Sequence, residues 1–466
     1  MPIRAAPGLR PDREPAGAWR SSVAAALLVC ALSACSSILR QPPPPADTTI
    51  GLAVLGVPNG RFWPDGSPDD LMQEALLAAS RQAERFPASR RGPERLPPQN
   101  LLAVSGGGDN GAYGAGLIVG WTASGNRPEF DVVTGISAGA LIAPFAFLGS
   151  AYDGQLREVF TANAPGDILV LPGIFRTVIG AAFGEAIADT SPLYRLIQRH
   201  ADMAMLDAIA REYRRGRLLL IGTTNLDLQR PVVWNIGAIA ASGHPDALSL
   251  FRRILLASAS IPGAFPPVLI DVESDGRTYQ EMHVDGGAAT QVFLYPPSLQ
   301  LARIVRQNRL ARDRTVWVIR NGRMDVEGAT TARGVFSIAT RSVSTLLHFS
   351  GIGDINRIYL TALRDGVAFR LSYIDSAFRA DRSGPFDQGF MQALFEHGYE
   401  KGRAERGWVT EPPSVTSLPP SVAPAAAVGN LATRRMAAPT ARTPLPADAA
   451  GRPASTSLPV ERAPEP

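Results

Sequence analysis

Cysteine and lysine are scarce in this sequence. Among its 466 residues there are only two cysteines, Cys30 and Cys35, and Lys401 is the only lysine. Because both cysteines precede residue 36, the rest of the chain contains no disulfide, even in an oxidising compartment. Four arginines and two acidic residues precede Cys35, which leaves 42 basic against 40 acidic residues and a net charge of +2. This near balance gives no reason to expect nucleic-acid binding.

Long apolar runs are also absent. The best candidate is Ser22–Leu32 (SVAAALLVCAL), which is too short to span a bilayer well but has the length of the apolar core of an export signal. A basic segment that ends at Arg20 precedes it. We therefore expect residues 1–34 to be a signal peptide, and we expect no transmembrane helix.

The end of this apolar run carries a recognisable processing motif. The residues Leu32-Ser33-Ala34-Cys35 resemble the bacterial lipobox, in which the cysteine is acylated and becomes the first mature residue. The resemblance implies a lipid anchor at Cys35, and acyl chains contribute about 0.8 kcal/mol per buried CH₂. Serine rather than aspartate follows the cysteine, which by resemblance to enterobacterial sorting favours the outer membrane, facing the periplasm. The alternative is an ordinary signal peptide with small residues at its cleavage site.

Composition divides the remainder into three parts. Residues 35–96 hold the lipidated N-terminus, a proline-rich segment at Gln41–Ala46 that predicts a stiff spacer between body and membrane, and a helix predicted at Asp69–Phe86. Residues 97–408 have the composition of a compact domain. Residues 409–466 are predicted to be disordered, because the last 56 residues contain 12 prolines and no aromatic residue.

Within the compact part, short apolar strands alternate with helical patterns. This alternation predicts an α/β fold, a three-layer α/β/α sandwich with a mostly parallel central sheet. The predicted strands are Leu101–Ser105, Phe130–Thr134, Leu218–Thr223, Val232–Asn235, Thr278–Val284, Thr315–Arg320 and Val367–Ile374. The predicted helices are Gly111–Ala123, Ser137–Leu148, Leu250–Ala259, Phe336–His348 and Phe386–Lys401.

The first strand runs into a glycine-rich loop, SGGGDNGAYG. The loop Gly106–Gly111 satisfies the dinucleotide-binding pattern G-x-G-x-x-G, but an acidic residue should then end the second strand, and Asp131 begins it. A phosphate-binding P-loop would need a following Lys-Ser or Lys-Thr, which is lacking. In a third interpretation, the glycine amides line an oxyanion hole at the start of a helix whose dipole favours negative charge.

The segment Asp131–Leu148 (DVVTGISAGALIAPFAFL) predicts a strand, a sharp turn and a helix, with G-x-S-x-G at the turn. Residues two before and two after such a serine must be nearly free of side chains, as Gly135 and Gly139 are. The turn lifts the Ser137 hydroxyl clear of the sheet, at a helix N-terminus that favours developing negative charge. Ser137 is thus a candidate nucleophile, and the alternative is an ordinary helix N-cap. Only the oxyanion interpretation of the glycine loop also explains this serine.

A serine nucleophile needs a base, and YQEMHVDGGAAT supplies a candidate. Asp285 ends a predicted strand, and Gly286 and Gly287 permit a sharp turn that would present its carboxylate at the C-terminal edge of the sheet. Sites in parallel sheets lie at that edge. The alternative is a simple Asp-Gly turn.

Histidine is the other possible base, as in the Ser-Asp-His order of α/β-hydrolases. None of the five histidines follows a strand in the manner of a triad histidine. His283 alternates with Asp285 and would share one face of its strand. His348 and His397 fall in amphipathic helix patterns, and His200 and His244 are predicted at the surface.

Together these motifs resemble the patatin-like phospholipase family, in which a glycine-rich oxyanion loop, G-x-S-x-G and D-G-G or D-G-A follow in that order. Here they are Gly106–Gly111, Gly135–Gly139 and Asp285–Gly287. The segment Ala257–Pro267 (ASASIPGAFPP) looks like the family's small-residue and Phe-Pro-Pro segment. The resemblance covers about residues 98–400 and implies a patatin-like fold.

The resemblance also implies a catalytic apparatus without an essential histidine, cofactor or metal. Ser137 would be the nucleophile and Asp285 the general base of a Ser-Asp dyad. The oxyanion glycines carried over are Gly106, Gly107, Gly108 and Gly111. The amides of Gly107 and Gly108 would hold the oxyanion, while the other two glycines shape the loop.

The implied activity is lipid acyl hydrolysis of the phospholipase A or lysophospholipase type, on a membrane lipid or another acyl ester. Two alternatives stay open: an α/β-hydrolase-type esterase with a Ser-His-Asp triad, and a non-catalytic envelope lipoprotein. The loop departs from the family at Asp109-Asn110, where an arginine or lysine often precedes the last glycine. The loop is therefore less positive than the family pattern.

Overall fold

The computed structural model describes a large central part of the chain and two short pieces before it. The described residues are 40–45, 52, 54–85, 97–162, 166, 189–274, 276–308, 312–326, 328 and 330–416. The predicted signal peptide, the predicted lipidation site Cys35 and residues 417–466 of the tail lie outside these residues. The prediction of disorder is wrong for residues 409–416, because Val409 forms a bridge with Leu371 and Pro413–Thr416 form a short helix. Within them, no helix combines the length and the apolar character that crossing a membrane requires.

A nine-stranded sheet, counted over the described residues, forms the centre of the fold. The strands are β1 Arg61–Phe62, β2 Gln99–Val104, β3 Val132–Ile136, β4 Leu218–Asn225, β5 Arg230–Asn235, β6 Val268–Ser274, β7 Arg277–Asp285, β8 Arg314–Arg320 and β9 Ala368–Tyr373. Their order is β1-β5-β4-β3-β2-β8-β9. Strand β7 pairs with β4 and with β6. The five neighbouring strands β4, β3, β2, β8 and β9 are parallel, whereas β1, β5, β6 and β7 pair antiparallel.

Helices cover both faces of this sheet. They are α1 Asp69–Arg85, α2 Gly111–Ala123, α3 Ala138–Leu148, α4 Asp153–Thr161, α5 Ser191–His200, α6 Met203–Arg214, α7 Ile236–Ala241, α8 Ala247–Ser258, α9 Leu301–Gln307, α10 Val335–Asp365, α11 Gln388–Arg403 and α12 Pro413–Thr416. The apolar alternation of the strands explains the two covered faces. In β2, Leu102 and Val104 pack into the core with α2 and α3, while Leu101 and Ala103 pack with α10. The predicted three-layer sandwich with a mostly parallel sheet is confirmed.

The glycines of α2 allow an unusually close helix contact. A Cβ on Gly116 would lie 1.9 Å from the Phe395 carbonyl oxygen of α11, and one on Gly120 would lie 2.0 Å from that of Tyr399. Neither position has room for a side chain. The small residues after the glycine-rich loop therefore serve helix packing, which holds the start of α2 in place.

Most predicted elements occur within a few residues of their predicted bounds, but one helix is longer than predicted, and several elements, among them α4 to α7, were not predicted. The helix predicted at Phe336–His348 extends from Val335 to Asp365. Glycines follow at 351 and 353, but a Cβ at Gly351 would lie 2.6 Å from Arg320 Cζ, so this glycine makes room for a side chain inside a continuous helix. Strand β6 was not predicted, because its acidic and polar end hides the apolar alternation.

Strand β7 extends beyond the sheet. Asp285 pairs with Thr223 and His283 with Asn225, at the very end of β4. Since β7 is antiparallel to β4, its earlier residues and all of β6 continue past the C-terminal edge of the parallel strands. This β6–β7 hairpin therefore rises on the side of the sheet where β2, β3 and β4 end.

The segment Arg40–Pro45 lies against this hairpin. The Arg40 guanidinium donates to both carboxylate oxygens of Asp227 at 2.5 and 3.2 Å, just past the end of β4. The Gln280 main-chain N–H donates to the Pro42 carbonyl at 3.2 Å, and the Gln41 N–H donates to Gln280 Oε1 at 3.0 Å, so the segment covers an edge of strand β7. Contrary to the predicted spacer, these residues are held on the body of the protein.

Candidate active site

The G-x-S-x-G segment forms a strained turn between β3 and α3. Ser137 has φ 54° and ψ −123°, in a region that residues other than glycine rarely adopt, at a cost of about 1–3 kcal/mol. Its N–H donates to Ser258 Oγ at 3.0 Å, and the Ser258 hydroxyl donates to the Gly222 carbonyl at 2.7 Å. The elbow is therefore fastened from α8 and β4, which offsets the local strain.

The two flanking glycines have no space for a side chain. A Cβ on Gly135 would lie 2.4 Å from the Gly139 carbonyl oxygen, and one on Gly139 would lie 2.3 Å from the Val104 carbonyl oxygen. Both contacts are with main-chain atoms, which cannot move aside as a flexible side chain can. The close crossing of strand and helix at Ser137 thus depends on glycine at both positions.

Asp285 is brought to Ser137 by the antiparallel strand β7. Its main-chain N–H donates to the Ser260 carbonyl at 2.9 Å, and its Oδ1 accepts from the Gly287 N–H at 2.6 Å. A Cβ on Gly286 would lie 2.6 Å from the Gly222 carbonyl oxygen, so the turn after Asp285 packs directly on β4. The carboxylate lies at the predicted C-terminal edge of the sheet. Its strand β7 is antiparallel to β4 and reaches this edge from beyond the ends of the parallel strands.

The Ser137 side chain lies beside the Asp285 carboxyl, and this contact lowers the pKa of Asp285. Asp285 is only 5% exposed. Burial raises the pKa of Asp285 to about 7, against the contacts with Ser137 and the Gly287 N–H, which lower it. A carboxyl with such a pKa can take up and release a proton near neutral pH.

The glycine-rich loop lies beside this pair. Its first amide, that of Gly106, is used for structure, because it donates to the Gln291 carbonyl at 3.0 Å. Within the described residues, the N–H groups of Gly107 and Gly108 donate to no protein acceptor. Gly108 has φ 58°, which orients successive amides toward a common space at the N-terminal end of α2. Both amides are therefore free to donate to a bound group.

The acidic residue in the loop is turned inward. Asp109 is 4% exposed, and its carboxylate pairs with Arg382 and accepts the Phe386 N–H at 3.0 Å. Burial raises the pKa of Asp109, while Arg382 and the neighbouring amides oppose this shift. Its charge is thus compensated by a residue far along the chain, and it fastens the loop to the segment before α11.

Four residues outside the motifs hold the site together: Ser258, Gln291, Asn321 and Asp354. Asn321 accepts the Gly114 N–H at 3.0 Å and donates to the Ser105 carbonyl at 2.8 Å, which fixes both ends of the glycine loop. Gln291 donates to the Gly287 carbonyl at 3.0 Å, and Asp354 accepts the Gln291 N–H at 2.7 Å. Of the four, only Ser258 lies in a segment that the sequence had marked, within ASASIPGAFPP.

No histidine ring hydrogen-bonds to Ser137 or Asp285, and all five histidines lie in the described part of the chain. His283 is fully buried, with Nδ1 3.0 Å from Thr223 Oγ1 and Nε2 3.1 Å from Glu281 Oε2. An ionised Glu281 carboxylate can only accept, so His283 donates to it through Nε2, and in a neutral ring Nδ1 then accepts from the Thr223 hydroxyl. Burial lowers the pKa of His283, in agreement with this neutral form.

The prediction that His200 lies at the surface is wrong. His200 is 8% exposed, at the end of α5, and its ring packs edge-on against Phe145 with centroids 6.3 Å apart. The polar neighbours in sequence point elsewhere on the helix, and they concealed this packing. His244 is partly exposed, as predicted.

A narrow apolar cleft adjoins Ser137. Its volume is about 40 Å³, and its lining includes Gly108, Leu141, Leu193, Leu196, Phe265 and Met391. Leu141, Leu193 and Leu196 also line a neighbouring space that reaches His200. An apolar group attached to an acyl carbonyl at Ser137 would be received by these side chains.

The structure thus places Ser137, Asp285 and the glycine-rich loop together at one edge of the sheet of a three-layer α/β sandwich. Residues 102–296, less than half of the chain, match the family model of the patatin-like phospholipase domain. The domain supports lipid hydrolase activity. Strands β8 and β9 and helix α10 lie beyond the matched range, although both strands belong to the same sheet.

Comparison with solved structures gives remote similarities. VipD from Legionella pneumophila is 11% identical with a TM-score of 0.33, over 69% of this chain and 69% of that chain. Human GIVD cytosolic phospholipase A2 is 10% identical with a TM-score of 0.30, over 76% of this chain and 64% of that chain. No curated protein matches the sequence.

Proposed function

We propose that this protein hydrolyses acyl esters of lipids, in the manner of a phospholipase A or a lysophospholipase, through a Ser137–Asp285 dyad. The observation that carries the proposal is the placement of Ser137, held at a strained elbow, beside the buried Asp285 carboxyl, whose pKa is raised to about 7. Two unpaired amides, those of Gly107 and Gly108, lie beside it. Nucleophile, base and oxyanion donors are the three groups that acyl transfer needs.

The proposed reaction has two halves. Asp285 takes the Ser137 proton as Oγ attacks the ester carbonyl, and the oxyanion that forms is stabilised by the amides of Gly107 and Gly108. The C–O bond to the alcohol then breaks, and the proton held by Asp285 passes to the departing oxygen. In the second half, Asp285 removes a proton from water as the water oxygen attacks the acyl-Ser137 carbonyl. The bond from the acyl carbon to Oγ then breaks, Asp285 returns the proton to Ser137 Oγ, and the carboxylic acid leaves.

A fluorophosphonate probe tests the nucleophile. The wild-type chain should be labelled, because an activated serine attacks phosphorus as it attacks an ester carbonyl, and Ser137→Ala should not be labelled. Mass spectrometry of the labelled peptide should place the probe on residue 137. Heat-denatured wild-type protein is the control, and it should give no label. Equal labelling of the wild type and Ser137→Ala would refute the proposal.

The pKa of Asp285 sets the expected pH dependence. As a general base it works only when ionised, and burial raises its pKa to about 7. Hydrolysis of a soluble ester should therefore fall about tenfold per pH unit below about pH 7 and level off above about pH 8. Initial rates between about pH 5 and pH 9 measure this. A profile that stays flat down to about pH 5 would contradict a base with a raised pKa.

The apolar cleft supports an acyl chain as the group that is recognised. Its lining residues are aliphatic or aromatic, apart from Ser137 and Gly108, and no cationic side chain lines it. Head-group charge is therefore not read inside the cleft. Hydrolysis of p-nitrophenyl esters of increasing chain length would show this preference directly.

We also propose that the protein is held in the cell envelope by an acylated Cys35, at the outer membrane and facing the periplasm. The ion pair between Arg40 and Asp227 supports a short tether, because it fixes the chain five residues after the cysteine. Five residues span at most about 18 Å. The anchor would then draw the membrane toward the sheet edge that carries Ser137.

A further inference from the structure

The N-terminal half of α10 is not packed on the body of the protein. In Val335–Ser350, which we name the arm, none of the described side chains is buried. Val335 is 87% exposed, Leu346 70% and Phe349 63%. From Gly351 onward the same helix is packed, with Ile355 fully buried. A helix whose second half is core thus carries large apolar side chains into solvent along its first half.

These exposed side chains share one face. At about 100° per residue, Val335, Ile338, Leu346 and Phe349 fall within about 80° of one another around the helix axis. Val343, which is 52% exposed, widens this face to about 140°. The opposite side carries serine, arginine and histidine, at Ser337, Arg341, Ser344 and His348. The arm is therefore amphipathic, although no described residue covers its apolar face.

The arm rises from the edge of the sheet that carries Ser137. The C-terminal end of α10 leads through Gly366 into the start of β9, so the helix begins on the opposite side, where the parallel strands end. At Gly351 it passes the Arg320 side chain, at the end of β8. The sixteen residues before Gly351 extend about 24 Å along the helix beyond this point.

Hydrogen bonds connect the base of the arm to the glycine-rich loop. One turn past its base, Asp354 accepts the N–H of Gln291 at 2.7 Å, and the Gln291 carbonyl accepts the N–H of Gly106 at 3.0 Å. A surface bound by the arm would therefore face the same opening as the proposed nucleophile.

Charge distinguishes the kind of surface that fits. Between Gly328 and Gly353 the chain contains two arginines and no acidic residue. A helix with an apolar face, arginine and serine opposite, and no negative charge is suited to the interface of a bilayer with anionic lipids.

We propose that the arm binds the surface of a phospholipid bilayer and holds it against the edge that carries Ser137. This rests on the proposed function, since the bilayer then contains the substrate. The other candidate for the apolar face is a second copy of the chain, and the test below separates the two.

A polarity-sensitive fluorophore on the arm gives a local readout. The full-length chain with Cys30→Ser and Cys35→Ser has no other cysteine, so Leu346→Cys can carry one nitrobenzoxadiazole label. The matched control is Leu360→Cys, on the packed half of the same helix and 55% exposed. With vesicles of phosphatidylcholine and phosphatidylglycerol, emission at position 346 should rise severalfold and shift to the blue, while emission at position 360 stays unchanged.

Three outcomes overturn the proposal. In the first, the emission at position 346 does not change when vesicles are added. In the second, the emission changes equally at positions 346 and 360. In the third, the emission at position 346 changes more with added unlabelled protein than with vesicles, which would assign the apolar face to a second copy of the chain. Because the label reports local burial, neither a signal segment nor an acyl anchor elsewhere in the chain can imitate the expected result.

Activity provides the second measurement. The double variant Leu346→Ser, Phe349→Ser should lower hydrolysis of vesicle lipid roughly tenfold through lost interfacial burial, and leave hydrolysis of a soluble short-chain ester unchanged. Leu360→Ser, Leu363→Ser is the control and should change neither. An equal loss on both substrates would overturn the role of the arm. A wild type that hydrolyses neither substrate would refute the proposed function, while the fluorophore still decides whether the arm binds lipid.

Discussion

Replacing Asp285 with asparagine should lower kcat for a soluble ester by about a thousandfold at about pH 8, with little change in KM. A general base contributes between about 10² and 10⁴ in rate. At this pH the Asp285 carboxyl, with a pKa of about 7, is ionised in the wild type. Asparagine keeps the shape of the side chain and can still accept the Gly287 N–H, but it cannot take the Ser137 proton. Initial rates over a range of substrate concentrations, on protein with unchanged circular dichroism, measure the effect.

The matched control for this variant is His283→Gln, two residues away on the same strand. Both ring nitrogens of His283 are engaged, by Thr223 and Glu281, and neither reaches Ser137. This change should lower stability through the buried network and leave kcat of the folded fraction nearly unchanged. The reverse pattern, with activity lost in His283→Gln and kept in Asp285→Asn, would favour the histidine-triad alternative. A wild type that hydrolyses no ester under any condition would favour the non-catalytic lipoprotein.

The parts of the site that sequence could predict are those set by local geometry. G-x-S-x-G specifies a crossing of strand and helix within five residues, and the structure shows the steric reason at Gly135 and Gly139. The glycine loop was recognised for a similar reason, since its amides must lie at a helix start. In each case the residues of the motif are neighbours in the sequence and also in the structure, so the motif can be recognised before the fold is known.

The residues that sequence could not predict act across long separations in the chain. Asn321 reaches Ser105 and Gly114, and Asp354 reaches Gln291, through contacts that depend on which strands become neighbours. Nothing beside these residues in the sequence distinguishes them from surface polar residues. Asp109 shows the same limitation in another form. It suggested a less positive loop, whereas its carboxylate is buried and paired with Arg382.

Helix α10 shows that residues which usually end a helix can also occur inside one. Two glycines and an aspartate after His348 are typical signs of a helix end. In the fold, Gly351 leaves space for Arg320, and the Asp354 carboxylate accepts N–H groups from the chain after Asp285. These residues serve the site rather than the end of a helix, and the sequence contains no signal that separates the two uses.

The same Asp285→Asn change should make the protein more stable at about pH 8.5 and not at about pH 4. The folded-state pKa of Asp285, about 7, lies above the unfolded value of about 3.9. The folded protein therefore keeps this proton to higher pH than the unfolded chain does. The stability from this group is full below about pH 4 and is lost as the pH rises through 7, by about 4 kcal/mol in all. Asparagine carries no charge at either pH and avoids this loss.

Thermal unfolding of the wild type and Asp285→Asn at the two pH values measures the difference, which should be at least a few degrees in Tm at the higher pH. Asp354→Asn is the matched control. That buried carboxylate accepts hydrogen bonds from Thr290 Oγ1 at 2.9 Å and Gln291 N at 2.7 Å, so its loss should lower Tm at about pH 8.5. A change in Tm that is the same at both pH values for Asp285→Asn would show that the native state does not bear the cost of an ionised Asp285. The expected gain has a direct physical origin, because the fold favours the neutral carboxyl whereas the proposed chemistry requires the charged one.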